Sequence, residues 1–588
     1  MKVLFFAPHS ALWIHAFPEA LVAQTLTSAG HDVLYIGCGG EYQRYCIPMN
    51  AQGLTAESEA PDRESVCRRC KDLRNIIVKD FGFRATDVID LLDQDDRASV
   101  DTIVSQVDRA NYLDLEHHGI PAGKVALYEC LLHHKKLSLD FSSEEWREYL
   151  IALSNTLLTI TATNRVLEKE RFDAIVVYNA LYSVNRAACL VAERHGMRSI
   201  FLHAGGNISN RLQTLMVSEG HTFRFLREMR NRWSEFASRP CPPGVVELVT
   251  NHFIQLVSGQ HFLAYSAAKE GSSRSIRQRY AIPVDAKLLV ATMSSYDERL
   301  AAEAVDVINH PTDLLFPRQV DWIRALVDHV RGRPELFLLV RVHPREFPNK
   351  REVRKSEHAS LLEELFEHLP VNVKINWPAE KLSLYDLAEE ADVFLNAWSS
   401  VGKEMALLGL PIVIYSRELV FYPPELNFIS EDREGYFAKI DEAIASGWSL
   451  DRVKMMYRWY ALEFHYALVD ICDGFSRQEG RRPTLFAKSV NRLRSMCDPY
   501  YLERSELRKR KPVLREAAKI QTVILDGHSS PIASAIANRK DNTSLASEHL
   551  EIVRQLGRLA LAMRASGATQ GCQGRLSDSL SRIAMEKI

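Results

Sequence analysis

The sequence predicts an α/β protein made of two Rossmann-like, doubly wound domains that face a cleft, followed by a helical C-terminal appendage. Three observations carry this. Short apolar runs such as Val3–Ala7 recur, as expected of parallel strands covered on both faces. Segments of helical periodicity separate them, so the order reads as repeated βαβ units. That alternation starts twice, once at the N-terminus and again near residue 287, with a mainly helical stretch between.

The first forty residues form one βαβ unit: the strand Val3–Ala7, a helix stopped at Gly30, and a strand over His31–Gly37. Residues 75–170 are polar-amphipathic and predict a helical insertion. The pattern resumes with a strand over Asp173–Tyr178, a helix over Ser183–His195, a strand over Ser199–His203 and the turn Ala204-Gly205-Gly206-Asn207. A helical connection over 220–270 leads to strands at Lys287–Thr292, Leu336–Val342, Val393–Leu395 and Pro411–Tyr415. The segment Met455–Ile471 predicts a closing helix. The domains are therefore expected at 1–235 and 236–480. A helical, partly disordered tail is expected at 481–588, with a basic run Arg508–Lys511 and an amphipathic helix over Ser547–Ala565.

The charge balance, 73 basic against 75 acidic side chains, argues against a nucleic-acid partner. Pro8 and His9 end the first apolar run too early for a signal peptide, and no apolar stretch reaches the roughly 18 residues needed to cross a bilayer. The expected location is the cytoplasm, with peripheral contact to a membrane assembly complex left open. In a reducing compartment the ten cysteines are expected to be free of disulfides. No Walker A sequence appears, which argues against a P-loop kinase or ATPase. No G-x-G-x-x-G follows the first strand, which argues against a nicotinamide enzyme.

Two segments of the second domain point to an anionic ligand. Arg341-Val342-His343-Pro344-Arg345-Glu346 follows a buried strand, where open α/β sheets bind ligands, and Pro344 would fix the turn that presents His343. Asn396–Glu404 follows another strand and precedes a helix. Ser399 or Ser400 can cap that helix, and its free N–H groups would suit a phosphate. Either segment alone also reads as an ordinary turn or cap; the pair, facing one crevice, favours a phosphate or nucleotide.

The order Arg-Val-His-Pro-Arg, Ser383–Leu387, Ala391-Asp392-Val393, Trp398-Ser399-Ser400 and Glu404–Pro411 resembles capsule and surface-carbohydrate biosynthesis glycosyltransferases of the GT-B kind, which are related to bacterial Kdo and sialic acid transferases. The resemblance is good over about 285–415 and fair over 1–40 and 170–210. It implies that His343, Ser399 and Ser400 hold the donor phosphate and that Glu404 holds the donor ribose. It also implies that Thr292–Glu298, with Ser294 and Ser295, lines the donor site. The implied activity is transfer of a sugar, best a CMP-activated acidic sugar such as Kdo, from a nucleotide-sugar to a polysaccharide or glycolipid hydroxyl. A CDP-glycerol-type polyol-phosphate transferase and a non-catalytic nucleotide- or glycan-binding scaffold are the alternatives.

A hydroxyl acceptor needs a base, and His9, His15 and His203 at strand ends and on the first helix are the candidates. Glu19, Asn179, Arg186, Gly205 and Gly206 are the candidate acceptor-binding residues. Asp93-Gln94-Asp95 matches the D-x-D of metal-using transferases but sits in a polar helical stretch, so no catalytic cofactor is expected. Cys67-x-x-Cys70 has the spacing of half a zinc site. With Cys38 and Cys46 it could close a structural zinc, four buried free cysteines being the alternative.

Overall fold

A computed structural model of the protein describes residues 1–259, 265–269, 275–349, 354–476, 485–537, 543–565 and 575–586. Parts of the expected 220–270 connection and of the tail therefore lie outside the described residues.

The first sheet contains β1 (Lys2–Phe6), β2 (Asp32–Gly37), β3 (Arg84–Asp87), β4 (Ala174–Tyr178), β5 (Arg198–Ala204) and β6 (Thr214–Glu219). The second contains β7 (Lys287–Thr292), β8 (Leu336–Arg341), β9 (Val373–Asn376), β10 (Val393–Asn396) and β11 (Ile412–Ile414). A last short strand, β12 (Val469–Asp470), returns to the first sheet. Their spatial orders are β12-β6-β5-β4-β1-β2-β3 and β11-β10-β7-β8-β9. The second sheet is parallel throughout; in the first, β6 and β12 pair antiparallel at one edge. The central strands are apolar and buried between their polar ends, as two-sided cover by helices requires.

Each sheet reverses its winding at one place, between β1 and β4 and between β7 and β10, and ligands bind outside the strand ends at such points. The expected donor segments follow β8 and β10, which flank β7 rather than each other. The two-Rossmann architecture is therefore present, but the sequence reading did not place β6 and β9, and it differs in other respects. The insertion 75–170 contains β3, a polar edge strand whose Arg84 pairs with Glu170 and Asp32. The closing helix ends at Ala461, and a π-turn over Leu462–Tyr466 leads the chain back to the first sheet before residue 480.

The tail also differs. Its described part is built into both domains. Ile520, Val523 and Ile524 join the apolar layer beneath the first sheet. Arg510, inside the basic run, lies 4.1 Å over the Phe81 ring and pairs with Asp80. The helix Leu545–Ala565 buries Ile552, Leu556, Leu559 and Met563 against the second-domain side, where Glu548 pairs with Arg458 at 2.6 Å. Among the described residues no helix is long and apolar enough to cross a membrane.

Candidate functional site

A cavity of about 320 Å³ lies between the domains. Thr292 and Met293 after β7, Arg341 to Pro344 after β8, and Ser399, Ser400, Lys403 and Glu404 after β10 line one side; Gly206, Ile208 and Arg211 line the other. Three separated strand ends thus converge. Arg341 is buried and donates to Asn376 Oδ1 at 2.6 Å and to the Leu382 carbonyl at 3.1 Å. Burial pulls its guanidinium down to about 10, so it stays charged near neutrality. His343 Nδ1 accepts from the Arg345 N–H at 3.2 Å, which leaves the neutral ring's proton on Nε2. Pro344 opens the short turn behind it.

Ser399 Oγ accepts from the Val401 N–H at 3.3 Å, and Ser400 Oγ donates to Glu404 Oε1 at 2.7 Å. The helix that follows, Val401–Leu407, has only seven residues. Its dipole is correspondingly short, so the hydroxyls and cations around it contribute more to the local field than the helix end does. Glu404 also accepts from Tyr385 Oη at 3.2 Å, and burial raises its carboxyl above the usual range. The π-turn places Glu463 and Phe464 in the cavity, and Lys403 donates to both Glu463 oxygens at 2.5 and 2.6 Å. A Cβ on Gly206 would meet Phe464 Cε1 at 3.1 Å and Glu463 Oε1 at 3.2 Å, so glycine lets the two domains approach here. Arg211, Lys403 and Glu463 were not among the sequence candidates. Lys403 sits inside the recognised segment, but a π-turn leaves no sequence signature.

Three expected donor residues are elsewhere. Arg345 turns away to a buried pair with Asp297 at 2.9 Å and faces a second cavity. Ser294 Oγ accepts from the Trp398 N–H, its own N–H donates to Gln319, and Ser295 Oγ donates to Asp297. These serines hold the loop behind the cavity and do not line it.

The second cavity, about 680 Å³, is lined by His9, His15, Glu129, Cys130, His133 and Glu148 of the first domain and by Arg345 and Arg354 of the second. His9 stands edge-on to Tyr182 at 5.6 Å, and His15 stacks on Tyr178 at 4.2 Å. Burial lowers both imidazoles to about 3. His203 falls to about 4 for the same reason, donates Nδ1–H to the Ala204 carbonyl at 3.0 Å, and lines neither cavity. All three are neutral near pH 7 but weakly basic.

Glu129, missed in the sequence, has the better-matched basicity. Its Oε1 accepts from the Ser183 N–H at 2.6 Å and Ser183 Oγ at 3.1 Å, while its buried Oε2 has no partner. Burial raises it to about 7, where a general base is most effective. Nothing in Tyr128-Glu129-Cys130 distinguishes it, because only the fold brings it to the cleft.

Glu19 is buried one turn beyond His15, with Oε1 unpartnered and its carboxyl raised well above the usual range by burial. It lines neither cavity. Asn179 adopts φ +63° at the end of β4, and its Oδ1 accepts from the Leu181 N–H at 3.1 Å. It builds the turn into the next helix, as Asn tolerates that conformation. Arg186 pairs with Glu193 at 3.4 Å on the helix surface, away from both cavities. Gly205 is required sterically, since a Cβ would sit 2.1 Å from Thr214 Oγ1. Asp93 of the D-x-D caps the helix Gln94–Gln106 and pairs with Arg165.

Cys38, Cys46, Cys67 and Cys70 line one smaller cavity of about 230 Å³ beside His9. A closed tetrahedral zinc site needs sulfurs roughly 3.8 Å apart. Among the described residues, the side chains whose ligand atoms converge within 4.8 Å are not these but Cys130, His134 and Glu148. Cys70 instead donates to the Pro8 carbonyl at 3.6 Å, and Cys38 accepts from the Tyr42 N–H. In this arrangement the four thiols share a cavity without fitting a single ion.

No protein-family model matches the chain, and no curated protein matches it. Solved structures with some likeness include KpsC, a beta Kdo 2,4 transferase from Thermosulfurimonas dismutans, at 14% identity and TM-score 0.29, covering 46% of this chain and 79% of that one. A putative UDP-N-acetylglucosamine 2-epimerase from Listeria monocytogenes follows at 12% and 0.25, covering 79% and 93%. The glycosyltransferase SnogD from Streptomyces nogalater is at 11% and 0.22, covering 79% and 95%. At these TM-scores the likenesses carry no weight for function, which rests on the chain's own cavities.

Proposed function

We propose that this chain is a GT-B glycosyltransferase that moves a sugar from a nucleotide-sugar to a hydroxyl of a capsule or other surface polysaccharide. The best donor is a CMP-activated acidic sugar such as Kdo. One observation carries the reading: the strand-end segments that resemble surface-carbohydrate transferases converge, with cations and hydroxyls, on one inter-domain cavity.

The donor phosphate would lie against His343, Ser399, Ser400 and Lys403, with Arg211 opposite and Arg341 as a fixed charge beneath. These groups would offset the charge that grows on the leaving phosphate, the role a metal plays in other transferases. Lys403 would exchange Glu463 for phosphate. Glu404, held by Ser400 and Tyr385, would accept from the donor ribose hydroxyls. The acceptor would enter the larger cavity, where Glu129 Oε2 would take the proton of the attacking hydroxyl. The two cavities adjoin in the chain at the 343–345 turn: His343 and Pro344 line one, Arg345 the other.

Thermal-shift measurements with CMP, CDP, UDP, GDP and dTDP test the donor half. A nucleotide that binds only the folded chain must raise Tm by linkage. CMP is expected to stabilise most, and His343→Ala and Ser399→Ala to weaken the shift. Stabilisation by CDP alone would favour a polyol-phosphate donor. No shift with any nucleotide would end the reading.

A further inference from the structure

The helix Tyr128–His134 places Cys130, His133 and His134 at i, i+3 and i+4, on one face. Glu148, on the helix Ser143–Lys169, reaches across to that face. His133 Nδ1 lies 2.7 Å from Glu148 Oε1, and His134 Nε2 lies 3.2 Å from Glu148 Oε2. Ligand atoms of Cys130, His134 and Glu148 all fall within 4.8 Å of one another, and the three side chains are buried. A soft sulfur, an imidazole nitrogen and a carboxylate are the donor types of a borderline divalent metal, and three protein ligands leave a position open.

We propose that Cys130, His134 and Glu148 bind a single divalent transition-metal ion of the zinc class, with His133 beside it as the hydrogen-bond partner that orients Glu148. The ion would lie in the wall of the larger cavity, which Cys130, His133 and Glu148 line. Entry of the ion has a definite proton balance. The Cys130 thiol releases its proton to solvent. The His134 imidazole moves its proton from Nε2, which faces Glu148, to Nδ1.

That shift has a consequence at His134. Without metal, Arg354 of the second domain donates to His134 Nδ1 at 2.7 Å, which requires the ring proton on Nε2. With metal on Nε2, Nδ1 must carry the proton. It would then donate to Glu145, whose Oε1 is 3.7 Å away, as ligating imidazoles commonly do to a carboxylate. The ion and the Arg354 contact are therefore mutually exclusive, and metal loading releases one bond between the domains. The proposal stands whether or not the sugar-transfer reading holds.

The test is metal analysis of protein purified without chelator, combined with Co(II) titration of chelator-treated full-length chain. About one equivalent of metal is expected, and Co(II) should show a thiolate-to-metal charge-transfer band. The band should vanish in Cys130→Ser and the affinity should fall in Glu148→Gln, while both persist in the Cys67→Ser, Cys70→Ser double variant. Circular dichroism checks that each variant is folded; if Cys130→Ser is not, the Glu148→Gln and wild-type titrations decide. A wild-type chain that binds no Co(II), or a band lost in the Cys67/Cys70 variant and kept in Cys130→Ser, would overturn the proposal. Nucleotide-induced thermal shifts, read in parallel, show whether donor binding fails independently.

Discussion

The two inter-domain cavities are built in opposite ways. The smaller one is assembled mainly from three contiguous segments, each directly after a strand of one parallel sheet. The larger takes residues from 9–15, 42–55, 129–155 and 182–184 of the first domain and Arg345 and Arg354 of the second, with no common motif. The first is a product of sheet topology, which brings successive strand ends to one edge. The second is a product of helix packing, which sequence spacing does not reveal.

The sharpest way to break this contrast is Glu129→Gln. If chemistry resides in the larger cavity, turnover should fall by about 10²–10⁴-fold, with the nucleotide thermal shift unchanged. The pH profile supplies a second readout. A base held near 7 must be deprotonated to act, so wild-type kcat/KM should rise with pH up to about 7 and then level off. Glu129→Gln should remove that limb. A limb that survives in the variant returns the role to His9 or His15.

Arg345→Met should cost about 3–5 kcal/mol of stability in denaturant unfolding, because it strands the buried Asp297 carboxylate. Nucleotide affinity should hardly change. A large affinity loss in a variant that stays folded would put Arg345 back among the donor ligands. Lys403→Ala removes one charge-assisted contact and should weaken nucleotide binding by about 10–100-fold. Loss of Glu463 by Glu463→Gln should do less, since that carboxylate is displaced in the bound state. Arg186→Ala should leave acceptor kinetics alone, as its pair with Glu193 lies away from both cavities.

The legibility of the site follows the same division. Arg341, His343, Pro344, Ser399, Ser400 and Glu404 were readable because each lies a few residues beyond an apolar strand. Ser294, Ser295 and Arg345 were misplaced although they lie in the same segments. Whether a side chain faces the cavity or the loop behind it depends on local turn geometry, here fixed by the Asp297 carboxylate. His9 and His15 line the larger cavity, but burial makes them weaker bases than Glu129. His203, Asn179 and Arg186 were near the right strand ends and serve a backbone contact, a turn and a surface pair instead.

The sequence by itself determined the parallel cores of the two sheets, because largely apolar strands bounded by amphipathic helices have few other ways to be buried. It also picked out strand-end segments that line the smaller cavity. The polar edge strand β3, the antiparallel return of β12 and the splitting of the tail between the domains were decided only in three dimensions. Each depends on a partner surface far along the chain. An amphipathic stripe specifies that something must cover it, not which surface does. The same holds for Glu129, and for Cys130, His133, His134 and Glu148: their chemistry is written in the residue types, but their meeting place comes from how two helices pack.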